Sequence, residues 1–280
     1  MKKILFAFLL PLWMFAQDDL LSEIDTDSTQ TEVSAAFKAL KIVNLESTKL
    51  ASKGDFYFIV AHRFGSVKNG IDTFFGLDDA NTQIKFLYGL TDWLTVHASR
   101  SGFQKSYEGA VKYRLMPQQV NGFPVTIVGF NSIVVNTELD KVLLPKLQFN
   151  NRLNYTTQLL ISRKFSEKLS LELAPTFFHE NYVVNDDQDN SQFAIGAGGR
   201  YKVSNRVAIT MDYAAHLNRA SSALARNPLS LGVDIETGGH VFQLHFTNAQ
   251  AMNETGYLGN AFGDWGKGDI FFGFNLVRVF

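Results

Sequence analysis

From Gln192 to His216 the chain reads QFAIGAGGRYKVSNRVAITMDYAAH. Odd positions hold Phe193, Ile195, Ala197, Gly199, Tyr201 and Val203, and between them stand Gln192, Ala194, Gly196, Gly198, Arg200 and Lys202. One parity is apolar; the other is polar or tiny. Past Ser204 and Asn205 the odd parity resumes as Val207, Ile209, Met211, Tyr213 and Ala215, against Ala208, Thr210, Asp212, Ala214 and His216. Successive strand side chains point to opposite faces, so two neighbouring strands each carry one greasy and one hydrophilic surface. A half-buried antiparallel sheet in water shows the same alternation. The pattern recurs along the whole chain, behind a secretory leader, in segments of roughly ten residues, the length that a membrane-spanning strand requires.

Working outward, twelve candidate strands follow Gly54. They centre on Phe56 to Phe64, Thr82 to Gly89, Leu94 to Ser101, Tyr107 to Leu115, Val125 to Val135 and Leu153 to Arg163, then Lys168 to Phe178, Gln192 to Val203, Arg206 to His216, Leu229 to Glu236, Val241 to Thr247 and Ile270 to Phe280. The connections alternate short and long. Leu90 to Leu94, Phe165 to Leu169 and Val203 to Val207 share one tight-turn pattern of Ser or Thr beside Asp, Glu or Asn, residues that bond nearby backbone. Gly65 to Ala80, Asn136 to Asn151, Glu180 to Asn190, Leu217 to Asn227 and Asn248 to Gly268 are long, and only Gly102 to Lys105 is short among them. Short periplasmic turns and long outer loops are the asymmetry of outer-membrane barrels, and an even strand count puts both chain ends in the periplasm. The chain closes on Phe280 with Leu276, Phe274 and Phe272 in its parity, as terminal barrel strands do; Arg278 departs from that pattern. The predicted fold is all-β: a transmembrane antiparallel up-and-down barrel of about twelve strands, over residues 54–280.

Bulk composition agrees. The 280 residues are 46% hydrophobic and 19% charged, with a formal charge of −1, which suggests neither disorder nor a nucleic-acid partner. The mean hydropathy of −0.03 looks soluble, but a barrel hides its apolar band in alternation. Without cysteine there is no disulfide, thiol nucleophile, thiolate metal site or lipid-modified leader. Met1 to Lys3 and the apolar run from Ile4 to Phe15 read as a signal peptide over 1–16, which implies export to the cell outer membrane. Residues 17–53 begin as an acidic segment with Asp18, Asp19, Glu23, Asp25, Asp27 and Glu32, expected to be flexible. Phe37, Leu40, Ile42, Val43, Leu45 and Leu50 then make its end apolar enough to pack as a plug or as a lead-in element.

His62-Arg63-Phe64-Gly65, Phe74 to Ala80, Tyr88 to Asp92, Ser99 to Ser101, Lys105 to Gly109, Val111 to Arg114 and Gly238 to Leu244 resemble a family of outer-membrane β-barrels from Bacteroidota that carries a domain-of-unknown-function label. The resemblance covers most of the chain after Phe37. It implies the barrel and its location, and brings no activity, ligand or catalytic residue.

With the apolar parity toward lipid, the candidate lumen-lining residues are Lys85, His97, Glu108, Lys112, Arg114, Gln158, Glu172, Arg200, Asp212, Glu236 and His245. Both signs are present. They read either as ion pairs filling a narrow barrel or as the polar wall of a selective solute path; twelve strands lie between filled eight-stranded barrels and open porins. An outer-membrane hydrolase needs a nucleophile and a base within hydrogen-bond reach. His240 and His245 fall on opposite strand faces, and no Gly-x-Ser-x-Gly element is present, so no catalytic, cofactor-binding or metal residue is expected. Partners implied are outer-membrane lipid, the barrel-assembly machinery and a small solute or an envelope protein, with no nucleic acid. Passage or binding of a small solute is the working function, with a non-conducting scaffold as the alternative. Aromatics at Phe74, Phe75, Tyr257, Phe262 and Trp265 give the long connections a surface-binding, plugging or lipid-contacting role.

Overall fold

The computed structural model describes residues 32–237 and 240–280. The leader and nearly all of the acidic run therefore lie outside the described residues. The strands are β1 (Phe56–Ser66), β2 (Ala80–Thr91), β3 (Leu94–Ser101), β4 (Tyr107–Met116), β5 (Thr126–Val135) and β6 (Leu153–Lys164), followed by β7 (Leu169–Glu180), β8 (Ser191–Lys202), β9 (Val207–His216), β10 (Leu229–Thr237), β11 (His240–Thr247) and β12 (Phe271–Val279). Each pairs antiparallel with its sequence neighbours, and β12 returns to β1 in a continuous register from Tyr57↔Val279 to Arg63↔Gly273. Closure leaves no edge, so every strand finds partners for its backbone without water, which a hydrocarbon surrounding demands. No described helix is long and apolar enough to cross a membrane. The one α-helix among the described residues, α1 (Glu254–Gly259), sits in the connection between β11 and β12, with the Asn253 side chain accepting from the Gly256 amide.

The alternation that predicts the strands also fixes which way they face. Ile209 is 50% and Tyr201 49% exposed on the outer wall, whereas Ala208 is 0% and Asp212 3% exposed on the inner wall. Exposed aromatics ring both ends of the barrel: Phe56, Tyr88, Trp93, Phe165 and Tyr201 toward the tight turns, and Tyr107, Tyr155, Phe177 and Phe193 toward the long connections. Such rings suit membrane interfaces. Arg278, out of place in an apolar parity, stands at the turn end of β12 with its guanidinium 4.6 Å from the Phe280 ring, where a long side chain keeps its charge at the aqueous boundary. Pro175 has no N–H to give, and the β6–β7 ladder skips the pairs between Gln158↔Thr176 and Ile161↔Leu173 while keeping its register.

Residues 33–53 enter from the turn end, where Glu32 bridges Gln119 and the Val33 amide donates to the Gln118 carbonyl. They run inside the barrel and return to the same end, where Gly54 and Asp55 hydrogen-bond to Gly89 before β1 begins.

Candidate functional site

The luminal segment folds as a tight loop because Lys41 bridges Glu46, with the Ile42 amide donating to Leu45 and the Ser47 amide to Leu40. Its apolar side chains meet apolar wall. Phe37, Ile42, Leu45 and Leu50 pack with Val128, Phe130, Leu160 and Ala174, all buried on the inner faces of β5 to β7. Each such side chain taken fully out of water contributes about 1.5–3 kcal/mol, an upper figure because an unfolded chain already buries part of it. Space for the loop tip comes from two glycines on the inner face of β8. A Cβ at Gly198 would stand 2.5 Å from Ile42 Cδ1, and one at Gly196 would stand 2.9 Å from Leu45 Cδ1.

A segment without a strand partner must satisfy its backbone polar groups some other way. Wall side chains do so here. The amides of Val43, Asn44 and Leu45 all donate to Asp212 Oδ2, at 2.9, 2.7 and 3.0 Å. The Thr48 amide donates to Glu172 and the Ala51 amide to Thr95. Lys112 Nζ donates to the carbonyls of Leu40, Ser47 and Lys49, and Gln243 Nε2 to those of Lys41 and Ile42. Asn44 is held on all sides: its amide donates to Ser230 and Thr247, and its Oδ1 accepts from the fully buried Arg63.

Charge ties three layers together. Glu46 of the segment lies within salt-bridge distance of Lys41, Lys85 and Lys112; Lys85 also faces Glu108, and Glu108 Oε2 is 3.3 Å from His97 Nε2. Lys41 reaches on to Glu254 of α1 at 2.7 Å. Three lysines thus face three glutamates across the segment, the wall and the β11–β12 connection. Burial pushes the Glu46 carboxyl upward, but Lys112, Lys41 and Lys85 outweigh it and hold Glu46 well below the usual carboxylate range. Burial likewise works to lower Lys41, and Glu254, Glu46 and Glu108 outweigh it, so Lys41 is raised above an ordinary lysine. Removing one member of such a buried set strands its partners, at a cost of about 3–5 kcal/mol.

Above this layer α1 packs against the inner wall from the other end. Tyr257, Leu258, Ala249, Ala251 and Ala261 pack onto Phe178, Ala194 and Ala214 of the inner wall.

All eleven candidate residues lie on inward positions of their strands. Lys85, His97, Glu108 and Lys112 come together on β2 to β4 around Glu46, while Glu172 and Asp212 hold the segment from β7 and β9. Arg200 pairs with Glu236 apart from them, Arg114 with Glu32 at the turn end, and Gln158 donates to Thr176. His245 is buried against Gly273, away from the cluster. Sequence reasoning did not single out Lys41, Asn44, Glu46, Arg63 or Glu254. Their signal was present at Arg63, a charge inside a strand on the parity opposite Phe56, Phe58 and Phe64, and at Val128, Phe130 and Leu160, apolar residues on the parity expected to be polar.

Fold and lumen together define a closed, transmembrane, up-and-down β-barrel. The family whose description is "Membrane bound beta barrel domain (DUF5777)" matches residues 37–280, and the chain belongs to it. No curated protein matches the sequence. Among solved structures, the fold is similar to the NanC porin (10% identity, 80% of this chain and 98% of that one, TM-score 0.49). It is also similar to the KdgM porin (7% identity, 81% and 98%, TM-score 0.46) and to the COG4313 outer membrane channel from Pseudomonas putida F1 (15% identity, 83% and 97%, TM-score 0.46).

Proposed function

We propose that this chain is an exported outer-membrane barrel that its own residues 33–53 keep closed at rest, and that it admits or binds a small solute when that segment shifts. The observation that carries the reading is the clamp of Asp212 on three consecutive amides of the segment, which gives the occupant one defined seat rather than a loose filling. The leader and the alternation of tight turns with long connections support the outer membrane, with the turn end on the periplasmic side. Polar wall residues of both signs, unoccupied by the segment at Arg200 and Glu236, would then line the path that opens.

The second reading, a permanently non-conducting scaffold, draws support from α1, which packs into the lumen from the opposite end. Planar-bilayer recording separates the two. Purified protein should be silent, and a variant lacking residues 33–51 should show steps of defined conductance. A deletion variant that inserts and stays silent would leave the scaffold standing and remove the gated path. As a control, Asn44→Cys with Ser230→Cys joins segment to wall in a chain with no other cysteine, and its oxidised form should remain silent under conditions that open the wild type.

A further inference from the structure

At the end of the barrel bearing the long connections, a cavity of about 450 Å³ opens to solvent above α1. Its volume falls within the range of about 300–1,000 Å³ of small-molecule sites. The floor is built, not incidental. Asn154, Gln192 and Asn136 line it while 4%, 1% and 8% exposed, and Gln192 Nε2 donates at 2.9 Å to Glu180 Oε2, which also lines it. Gly259 at the end of α1 completes the floor, where a Cβ would stand 3.0 Å from the same Glu180 oxygen. No protein group among the described residues engages the Asn154 side chain, which therefore faces the cavity with both its donor and its acceptor free.

Lining chemistry narrows the ligand. Glu138, Asp140 and Glu180 bring carboxylates, and the cation on the wall, Arg219, donates from Nη2 to the carbonyls of Arg226 and Leu258. An anion would meet the carboxylates of Glu138 and Asp140, which outnumber the one cation of the lining. For a metal ion, the described residues hold no cluster of three or more carboxylates or histidines able to ligate it, and the N–H groups of Gln104, Asn136, Asn154, Gln192 and Asn260 call for acceptors as well as donors on the ligand. A hydroxyl both donates and accepts, as a side-chain amide does. Tyr182, Phe262 and Leu143 add apolar surface at the rim, which suits the C–H faces of a pyranose ring.

We infer that this vestibule binds a neutral saccharide, with Asn154, Gln192 and Glu180 hydrogen-bonding its hydroxyls and Tyr182 and Phe262 covering its ring faces. The site takes its ligand from the side of the long connections, and rests on the proposed outer-membrane placement only for the name of that compartment.

Isothermal titration of the detergent-solubilised mature chain with maltotriose, cellotriose and chitotriose, and with trigalacturonate as the anionic counterpart, tests it. At least one neutral trisaccharide should bind, trigalacturonate should bind more weakly, and Asn154→Leu should weaken the neutral ligand about tenfold, the equivalent of one hydrogen bond of about 1.4 kcal/mol. If Asn154→Leu fails to fold, Tyr182→Ala at the rim takes its place and should weaken binding in the same direction. The inference is overturned by absence of heat with all three neutral sugars, by equal or tighter binding of trigalacturonate, or by full affinity in the folded variants. Binding is read without conductance, so sugar binding by the full chain together with a silent 33–51 deletion variant sinks only the gated path, and a conducting deletion variant whose full chain binds no sugar sinks only the vestibule.

Discussion

Asp212 does for residues 43–45 what the start of a helix does for an anion: several amides converge on one carboxylate. Asp212→Ala leaves three buried N–H groups without an acceptor, at about 1–3 kcal/mol each where water cannot reach them. Asp212→Asn keeps one oxygen and loses the charge, so it should fall between alanine and wild type. Urea melting in detergent, paired with maleimide labelling at an introduced Val43→Cys, should rank the three proteins in that order; indistinguishable labelling rates would deny the clamp its role. Glu46 gives the same segment a pH dependence. Its carboxyl is held below its ordinary value of 4.5 in the folded protein, so its contribution is complete above that pH and is lost as the pH falls through the lower, folded value. With Lys41, Lys85, Lys112, His97 and Glu108 as its neighbours, protonation leaves an excess of positive charge in the lumen. Labelling at position 43 should therefore stay slow near neutrality and accelerate in acid below about pH 4; a flat profile would contradict the ion-pair account.

Among the elements, β8 and β9 made the barrel legible, since their lipid-facing and luminal parities never mix. All twelve strands were readable in the sequence, with ends displaced by no more than two residues. β5 was harder, and for a physical reason. Its inner parity carries Val128, Phe130 and Val134 because it serves as a wall for Phe37 and Ile42, so both faces look apolar and the luminal occupant leaves no dyad of its own. Residues 33–53 showed their apolar character but not their seat, which depends on pairings with Asp212, Glu172 and Lys112 more than sixty positions away. Two substitutions test the two faces. Ile209→Arg on the lipid side should cost about 2–4 kcal/mol if it lies near the midplane, visible as reduced heat-modifiable barrel in membrane fractions. Gly198→Leu on the inner side should leave assembly intact and drive Ile42 from its place, raising the Val43→Cys labelling rate. Similar effects of the two on assembly would contradict the facing.

For the molecule as a whole, α1 is the part that both ends of the lumen touch. Its first residue, Glu254, grips Lys41, and its last, Gly259, floors the outer cavity. A shift of this short helix would therefore be felt on both sides. Glu254→Gln, which removes the charge and keeps the shape, should loosen the segment without emptying the cavity. It should speed labelling at position 43 and lower the urea midpoint, since Lys41 loses one of its two carboxylates; a lowered midpoint with unchanged labelling would assign Glu254 to the scaffold.

The segment 33–53 also precedes β1 in the chain, while the wall around it has no seam once β12 has joined β1. It is a ship in a bottle. Either the cargo is aboard before the last two staves meet, or it must be slid through the neck at the turn end afterwards. A peptide of residues 33–53 offered to an already folded barrel that lacks them would tell which, since only a neck wide enough for late loading would let the peptide quench an otherwise open pore.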